Sequence, residues 1–347
     1  MDKKKIVIIG CGNVGMSYAY ALLNQRTYCN ELALIDLNEE RVQGEVMDLN
    51  HCLAFSPSKI KIKVGTYEDC SDADLIVIAA GANQKEGETR LDLLNKNSKI
   101  FKGIIDEVMK NNFKGVFLIA TNPVDIMTYV TQKYSNLPKN RVIGSGTSLD
   151  TARLRFLVGE KLNIDPTNVH GYVIGEHGDS EFIPWSNVTV AMQNISDFLS
   201  EDEMSSIAEE VKNAAYEIIK KKGATYYGIG MTLVKITNAI LGNENSVIVV
   251  SSYDEANDVY IGLPSVINAN GAERKIYFKL NDEETTKLQN SINIIKENIN
   301  KIKQCQREHE REKIRDLYNN VNHDDTEALK IQMQLRDKIN NRRKMND

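Results

Sequence analysis

Two short segments of the sequence combine residue types that can exchange a proton and bind an anion. In the first, G-E-H-G-D, His177 lies between Gly175 and Gly178, and glycines permit a sharp turn and the close approach of a ligand. An imidazole is the side chain that gains and loses a proton near neutral pH. His177 is therefore either a site residue or a turn residue, and the segment alone leaves both possible.

The second segment, D-T-A-R, lies at the start of a helix that the sequence predicts from Asp150 to Leu162. Asp150 and Arg153 are three positions apart and project from one face of that helix. They form either a surface ion pair of little consequence or a functional pair. In the second case the carboxylate would orient and stabilise a protonated histidine, while the guanidinium would bind a substrate carboxylate through two parallel hydrogen bonds.

The elements that must position these residues begin with a predicted doubly wound parallel sheet. Short apolar runs alternate with helix-length segments, which favours parallel strands with helices on both faces. A helix is predicted from Val14 to about Gln25. The predicted strands are Ile6–Ile9, Leu32–Leu37, Leu75–Ala80 and Val116–Ala120.

Beyond about residue 150 the pattern becomes mixed α+β. Helices are predicted over Asp150–Leu162 and roughly Asp202–Lys222, and strands over Val247–Tyr253 and Lys275–Lys279. We expect a Rossmann-type dinucleotide-binding domain over residues 1–147 and a mixed substrate domain over residues 148–304.

Residues 305–347 differ from the rest of the chain and predict a charged helical extension. Apolar residues recur there at helical spacing on either side of an expected break from Asn319 to Asp325. They are Ile314, Leu317 and Val321, followed by Ala328, Ile331, Leu335 and Ile339. A solvated extension is the simpler interpretation, and a helix that binds a partner is the alternative.

A glycine-rich turn between the first predicted strand and helix favours a dinucleotide cofactor. In G-C-G-N-V-G, Gly10 permits the tight turn, Gly12 lets the backbone approach a pyrophosphate, and Gly15 lets helix and strand pack closely. Asp36 ends the second strand 21 positions after Gly15, where a carboxylate accepts hydrogen bonds from ribose hydroxyls. That carboxylate would repel a 2′-phosphate, so the sequence predicts NAD rather than NADP.

Composition narrows the class of protein. The chain has 347 residues, 41% of them hydrophobic, and a formal net charge of −5, which gives no reason to expect nucleic acid as a partner. No stretch approaches the length of a membrane span. The five cysteines show no paired spacing and no adjacent histidines, so they predict neither a disulfide framework nor a metal site. We expect a cytoplasmic protein.

Five segments, taken in order, resemble the L-lactate and malate dehydrogenase family. They are G-C-G-N-V-G, G-A-N-Q-K-E-G-E-T-R, A-T-N-P-V-D, S-L-D-T-A-R and G-E-H-G-D, and the similarity runs from about residue 4 to about residue 303. The extension beyond about residue 305 is longer than this family usually carries.

The resemblance implies a role for each matching residue. His177 matches the proton donor and acceptor, Asp150 its orienting carboxylate, and Arg153 the residue that binds the substrate carboxylate. Arg90 matches an arginine on a mobile loop that polarises the substrate carbonyl, and residues 81–94 would form a lid over the substrate. Asn122 and Thr225 match residues that contact the substrate. The implied cofactor contacts are Gly10, Gly12, Val14, Gly15, Asp36, Arg41, Tyr67, Gly81, Ala82, Thr121, Asn122 and Ser145.

One loop position bears on the choice of substrate. Malate dehydrogenases of this family carry an arginine there to pair with the second carboxylate of oxaloacetate, whereas this chain has Gln84. Because burying an unpaired carboxylate is unfavourable, the resemblance predicts reduction of pyruvate to lactate. A malate or other 2-hydroxy acid dehydrogenase, or a non-catalytic NAD-binding protein, is the alternative.

Regulation and assembly are implied by the resemblance alone. Arg155 and His170 match positions that bind fructose 1,6-bisphosphate at a subunit interface in allosteric bacterial members. The alternative is an ordinary surface arginine on a helix and a histidine on a strand. The family also implies a homotetramer.

Overall fold

The computed structural model describes residues 3–82 and 90–319, with the side chains of residues 90, 91, 306, 309, 310 and 313–319 left aside. The chain divides into two units, the first of them Met1–Glu297 and the second beginning at Asn298. None of the described helices combines the length and the apolar composition needed to cross a bilayer.

Nine of the described strands form one sheet, and the six of them that come first in the sequence are parallel. Segments such as K-I-V-I-I and L-I-V-I are buried along most of their length, as parallel strands covered by helices on both faces must be. These strands are β1 (Lys5–Ile9), β2 (Glu31–Ile35), β3 (Lys61–Val64), β4 (Leu75–Ile78), β5 (Val116–Ile119) and β6 (Val142–Gly144).

The strand order places a crevice beside β1. The parallel part of the sheet runs β6-β5-β4-β1-β2-β3, so the direction in which successive strands are added reverses between β1 and β4. Ligands of doubly wound sheets bind outside the carboxyl ends of the strands at this reversal. The glycine turn after β1 lies at that point.

The second half of the chain adds antiparallel strands to the same sheet and a small sheet of its own. Strand β10 pairs with β6 and with β11, and β11 pairs with β12. The small sheet is β7 (Val169–His170), β8 (Thr189–Val190) and β9 (Gln193–Asn194), and the added strands are β10 (Ser246–Asp254), β11 (Val259–Asn268) and β12 (Gly271–Lys275). The predicted fold class is therefore confirmed.

Eight described α-helices pack around these strands, and local signals set the ends of several of them. Ser200 and Glu203 form a capping box at the start of α6, and Gly223 ends that helix with a φ of 87°. The helices are α1 (Asn13–Leu23), α2 (Glu39–Cys52), α3 (Arg90–Lys110), α4 (Val124–Ser135), α5 (Ser148–Leu162), α6 (Glu201–Lys222), α7 (Tyr227–Leu241) and α8 (Asp282–Asn319).

Most predicted elements agree with these bounds within two residues, but the strand predicted over Lys275–Lys279 is wrong. Strand β12 ends at Lys275, although the Ile276 N–H still donates to the Pro264 carbonyl at 2.8 Å. Proline has no N–H to return that hydrogen bond, so the antiparallel ladder stops there. The strands β3, β6, β8, β9 and β11 were not predicted.

The predicted C-terminal helix is part of a longer one. Helix α8 runs without a break from Asp282 to Asn319, so the helical spacing of Ile314 and Leu317 continues an element that begins well before residue 305. Val321 and the second predicted helix, from Ala328 to Ile339, lie outside the described residues.

Candidate active site

The glycine turn after β1 has the backbone shape that close approach of a ligand requires. Gly10 has a φ of 104°, and a Cβ there would lie 2.3 Å from the Ala80 nitrogen. A Cβ at Gly15 would lie 2.0 Å from the Gly10 carbonyl oxygen, whereas a Cβ at Gly12 would meet no atom within 4 Å. Gly10 and Gly15 thus serve packing, and Gly12 leaves open space in front of the turn.

Helix α1 presents free backbone donors to that space. Its N-cap residue, Gly12, provides no side-chain hydrogen bond, and the first turn contains no acidic residue. A helix N-terminus in this state offers N–H groups and a positive dipole end to a phosphate. The described residues therefore fit the pyrophosphate of a dinucleotide.

Asp36 lies directly after β2, where dinucleotide sites carry the carboxylate that binds the ribose hydroxyls. One oxygen, Oδ2, accepts a hydrogen bond from the Cys11 N–H at 2.7 Å, and Oδ1 accepts one from the Asn38 N–H at 3.2 Å. The carboxylate is half-buried, with acceptor capacity left for a hydroxyl. It thus links the glycine turn after β1 to the segment after β2.

The other predicted cofactor residues follow the carboxyl ends of neighbouring strands. Thr121, after β5, donates to the Ala80 carbonyl at 2.7 Å, and the Ala82 N–H donates to the Asn97 Oδ1 at 2.8 Å. This brings together Gly81, Ala82, Thr121 and Asn122, with Val14 in the first turn of α1 and Ser145 directly after β6.

Two predicted cofactor residues lie to the side of that row. Tyr67 begins a short 3₁₀ segment after β3, where its ring is half-buried. Arg41 lies in the first turn of α2, and its side chain forms an ion pair with Glu45 at 3.4 Å.

The chemistry-bearing residues of the second half meet at one carboxylate. Asp150, in the first turn of α5, accepts hydrogen bonds from the His177 Nδ1 at 2.7 Å and from the Arg153 Nη1 at 2.6 Å. The side chain of Asp150 is 1% exposed and that of Arg153 is 13% exposed. The interpretation of Asp150 and Arg153 as a surface ion pair is therefore wrong.

The loop that carries His177 is fixed at several points. Its backbone pairs with β11 through Gly175 and Gly262, at 3.0 and 2.9 Å. Ser291 of α8 accepts from the Glu176 N–H at 3.1 Å and donates to the Ser180 carbonyl at 2.7 Å. Gly175 has a φ of 103°, and a Cβ there would lie 2.6 Å from the Ser291 Oγ.

Two further carboxylates lie beside His177, and the sequence analysis missed both. Asp125 of α4 is 2% exposed and accepts from the His177 N–H at 2.8 Å, while its Oδ1 has no hydrogen-bond partner among the described residues. Glu181 places its Oε2 3.7 Å from the His177 Nδ1. Their only sequence signals were Asp125 in the A-T-N-P-V-D segment and Glu181 four positions after His177.

These charges set the protonation of the cluster. Burial by itself lowers the pKa of His177, but the charge of Asp150 and its hydrogen bond outweigh burial, so that pKa lies well above its usual range. Burial opposes ionisation of Asp150, yet His177 and Arg153 hold its pKa below the usual range. Burial raises the pKa of Glu181 to about 7 and that of Asp125 to about 6.

A cleft of about 680 Å³ between α5 and α6 includes Arg153 of this cluster in its lining, together with the carboxylates of Glu209, Glu210 and Glu217. Arg153 lines it beside Phe156 and Leu157, and only the Nη1 of Arg153 donates to Asp150. The rest of the guanidinium can therefore bind an anion that enters the cleft.

Comparison with known proteins identifies the family. The model of the lactate/malate dehydrogenase NAD binding domain matches residues 4–144, and that of the lactate/malate dehydrogenase α/β C-terminal domain matches residues 147–306. The chain belongs to the lactate/malate dehydrogenase family. The resemblance drawn from the five segments is confirmed, and so is NAD as the cofactor.

Relatives in the lactate/malate dehydrogenase family cover most of the chain. An L-lactate dehydrogenase of Halalkalibacterium halodurans is 54% identical over 297 residues, which are 84% of this chain and 96% of that protein. One of Macrococcus caseolyticus is 54% identical over 301 residues, 84% of this chain and 95% of that protein.

Solved structures agree with this assignment. A lactate dehydrogenase from a Medee basin deep-sea metagenome library is 49% identical with a TM-score of 0.85, and the match covers 87% of this chain and all of that one. The ligand-bound minor L-lactate dehydrogenase of Enterococcus mundtii is 44% identical with a TM-score of 0.84, and the match covers 86% and 98%. The chain is thus an NAD-dependent oxidoreductase.

Several residues that the family resemblance singled out fall at or beyond the limits of the described structure. Gln84 lies outside the described residues, and so does half of the predicted lid, residues 83–89. Arg90 begins helix α3, but its side chain is not described. Thr225 lies in the connection between α6 and α7, half-buried.

The two predicted effector residues lie near each other. The Arg155 Nε and Nη2 both donate to the Gly171 carbonyl at 3.3 Å, next in the chain to His170. His170 is exposed on β7. The guanidinium of Arg155 therefore already has a backbone acceptor.

Proposed function

We propose that this chain is an L-lactate dehydrogenase, which reduces pyruvate to (S)-lactate with NADH and runs the reverse reaction in fermentative metabolism. The observation that carries the proposal is the buried Asp150 carboxylate, which holds an imidazole at 2.7 Å and a guanidinium at 2.6 Å. One fixed anion thereby positions a proton donor and a cation that can bind a substrate carboxylate. The named relatives are L-lactate dehydrogenases.

His177 supplies the proton. Because its Nδ1–H donates to Asp150, the Nε2 is the nitrogen left to face the substrate. NADH, when bound, supplies the hydride to the carbonyl carbon. The electron pair of the C=O π bond moves to the oxygen, which takes the Nε2 proton and leaves a neutral imidazole. Lactate oxidation reverses each transfer, and Asp150 favours the protonated imidazole that pyruvate reduction needs.

Two arginines bind the negative charge of the substrate. Arg153 would bind the carboxylate of pyruvate with the part of its guanidinium that Asp150 leaves free. Arg90 would stabilise the negative charge that develops on the carbonyl oxygen, a type of contact worth on the order of 3 kcal/mol in the transition state. Asn122 and Thr225 are proposed as further substrate contacts.

Gln84 is proposed to select pyruvate over oxaloacetate. A neutral amide cannot pair with a second carboxylate, and burying that charge without a partner is unfavourable. A malate dehydrogenase is the alternative function within the family.

The remaining site and domain assignments are proposals of the same kind. We assign NAD contacts to Gly10, Gly12, Val14, Gly15, Asp36, Arg41, Tyr67, Gly81, Ala82, Thr121, Asn122 and Ser145. The boundaries proposed from the sequence, at about residues 147 and 304, would separate the cofactor domain, the substrate domain and the extension.

Regulation, assembly and compartment also belong to the proposal. Arg155 and His170 would bind fructose 1,6-bisphosphate as an activator, in a homotetramer. The cytoplasm is proposed because Cys11, Cys29 and Cys70 are buried as free thiols. The bisphosphate should lower the half-saturating pyruvate concentration, and an unchanged saturation curve from pH 6 to pH 8 would refute that part.

The test is NADH oxidation with pyruvate, oxaloacetate and a small panel of 2-keto acids, with and without the bisphosphate. We expect pyruvate to give the largest kcat/KM. A larger value for oxaloacetate would replace the proposal with malate dehydrogenase, and no turnover with any keto acid would indicate a non-catalytic NAD-binding protein.

A further inference from the structure

Glu181 is a buried carboxylate that the proposed mechanism does not use. Its side chain is 6% exposed, and it lies one residue before a backbone bridge that closes the His177 loop. In that bridge, Ile174 and Phe182 exchange two hydrogen bonds at 2.9 and 3.0 Å. The bridge folds Glu181 back over the imidazole instead of leaving it in solvent.

The distances separate the roles of the two carboxylates beside the imidazole. The His177 Nδ1 is 2.7 Å from Asp150 but 3.7 Å from the Glu181 Oε2. A nitrogen carries one proton, and at 3.7 Å a hydrogen bond is no longer formed. Asp150 therefore takes the Nδ1 proton, and Glu181 acts on the ring through its charge.

When Asp150 and Glu181 are both ionised, their two negative charges are matched by Arg153 and a protonated His177. Asp150 and Glu181 as carboxylates face the His177 imidazole, and Arg153 faces both carboxylates from α5. Asp125 approaches from α4 and binds the His177 main chain, and Glu176 in the same loop accepts a hydrogen bond from the Ser180 hydroxyl. With Glu181 ionised, an uncharged imidazole would leave Arg153 to balance two buried carboxylates.

We propose that Glu181 is a positioning residue for the reduction, a second counter-charge that keeps His177 protonated at alkaline pH. Burial raises the pKa of Glu181 to about 7. As the pH rises through that value Glu181 loses its proton, and the new negative charge near the Nδ1 opposes loss of the imidazole proton. The same carboxylic acid is neutral at lower pH, where Asp150 alone suffices.

The inference rests on the proposed function, because it concerns the proton that pyruvate reduction consumes. Its test compares Glu181→Gln with the unchanged enzyme, since glutamine keeps the shape of the side chain and removes its charge. An opposite charge within about 4–6 Å raises the pKa of a cation by about 1–3 units. We expect the alkaline limb of kcat/KM for pyruvate to move down by about one pH unit or more, with the NADH dissociation constant unchanged.

A second readout follows the imidazole directly. The rate at which diethyl pyrocarbonate modifies His177, measured by mass spectrometry of its peptide from pH 5.5 to 9, reports the fraction of unprotonated ring. We expect the midpoint in Glu181→Gln to lie lower by the same shift as the kinetic limb.

The matched control is Glu284→Gln. Glu284 is 5% exposed and accepts hydrogen bonds from the Ser186 N–H at 3.0 Å and the Ser186 hydroxyl at 2.6 Å, so it is a buried glutamate engaged elsewhere. That variant should leave both pH midpoints in place even if its melting temperature falls.

The outcomes distinguish the inference from the proposed function. If the enzyme reduces pyruvate but the midpoints of Glu181→Gln overlay those of the unchanged enzyme, Glu181 has no such role and the function stands. If the enzyme reduces no keto acid, the proposed function fails, and the modification midpoints still decide whether Glu181 controls the imidazole.

Discussion

Replacing Asp150 by asparagine removes one negative charge and keeps the shape of the side chain. The carboxylate is 1% exposed and accepts two short hydrogen bonds, from His177 at 2.7 Å and from Arg153 at 2.6 Å. In Asp150→Asn the protonated imidazole loses its ionic partner inside the protein. An asparagine can also accept through only one atom, its carbonyl oxygen. Its NH₂ group would point one donor at another, either the His177 N–H or the Arg153 N–H.

The size of the effect follows from the burial of the pair. Breaking a buried ion pair by removing one partner costs about 3–5 kcal/mol. Because about 1.4 kcal/mol corresponds to a factor of ten, a loss of about 4 kcal/mol in the transition state predicts a fall of roughly 10³ in kcat/KM for pyruvate. The charge of Asp150 also holds the pKa of His177 up, so the remaining activity should shift toward acidic pH.

The assay is steady-state NADH oxidation across pH 5.5–9, with NADH binding followed separately by fluorescence. The control is Asp254→Asn, because Asp254 pairs with Lys275 at 3.1 Å and both side chains are 12% exposed, at a distance in sequence from every proposed site residue. Asp254→Asn should lower the melting temperature without the loss in kcat/KM. A change of less than tenfold in Asp150→Asn, with the pH profile unmoved, would refute the reasoning.

Three further predictions concern the elements around the site. Ser291→Ala removes the hydrogen bonds to the backbone of Glu176 and Ser180. Their loss is worth about 1–2 kcal/mol, so kcat should fall roughly tenfold while the NADH dissociation constant stays constant. An unchanged kcat would contradict this prediction. Gly15→Ala places a methyl group 2.0 Å from the Gly10 carbonyl, and calorimetry should show a destabilisation of about 1–3 kcal/mol, which an unaltered melting temperature would exclude. Asp36→Ser should weaken NADH binding roughly tenfold and reduce the preference for NADH over NADPH. Titration of the variant with each coenzyme measures both dissociation constants, and an unchanged ratio between them would contradict this prediction.

The cofactor half of the fold could be predicted from the sequence because its signals are local. The glycine turn needs a positive φ at Gly10 and leaves no room for a Cβ at Gly15, and Asp36 follows at a distance fixed by one helix and one strand. The predicted bounds of β1, β2, β4, β5 and α1 agree with the structure within two residues, whereas β3, β6 and the helices α2 to α4 were not predicted. By contrast, β11 and β12 pair antiparallel, with a bulge between Val266 and Ile267 that shifts the register. The alternation of apolar and polar residues along one strand does not reveal such a shift.

The catalytic cluster could be predicted only in part for the same reason. Asp150 and Arg153 share a helix, so their adjacency was readable, but the contact to His177 spans 27 positions and that of Asp125 spans 52. Neither residue type nor spacing shows which acidic residue a fold will bury beside a histidine. Glu181 illustrates this, since only the bridge between Ile174 and Phe182 turns it inward.

The central claim is that one buried carboxylate holds a proton donor and an anion-binding cation against the same small keto acid. A crystal structure with NADH and oxamate, the amide isostere of pyruvate, tests it most directly. The account predicts the oxamate carboxylate on Arg153, with its carbonyl oxygen within hydrogen-bond distance of the His177 Nε2. Oxamate bound away from either side chain, or an imidazole turned from Asp150, would contradict it.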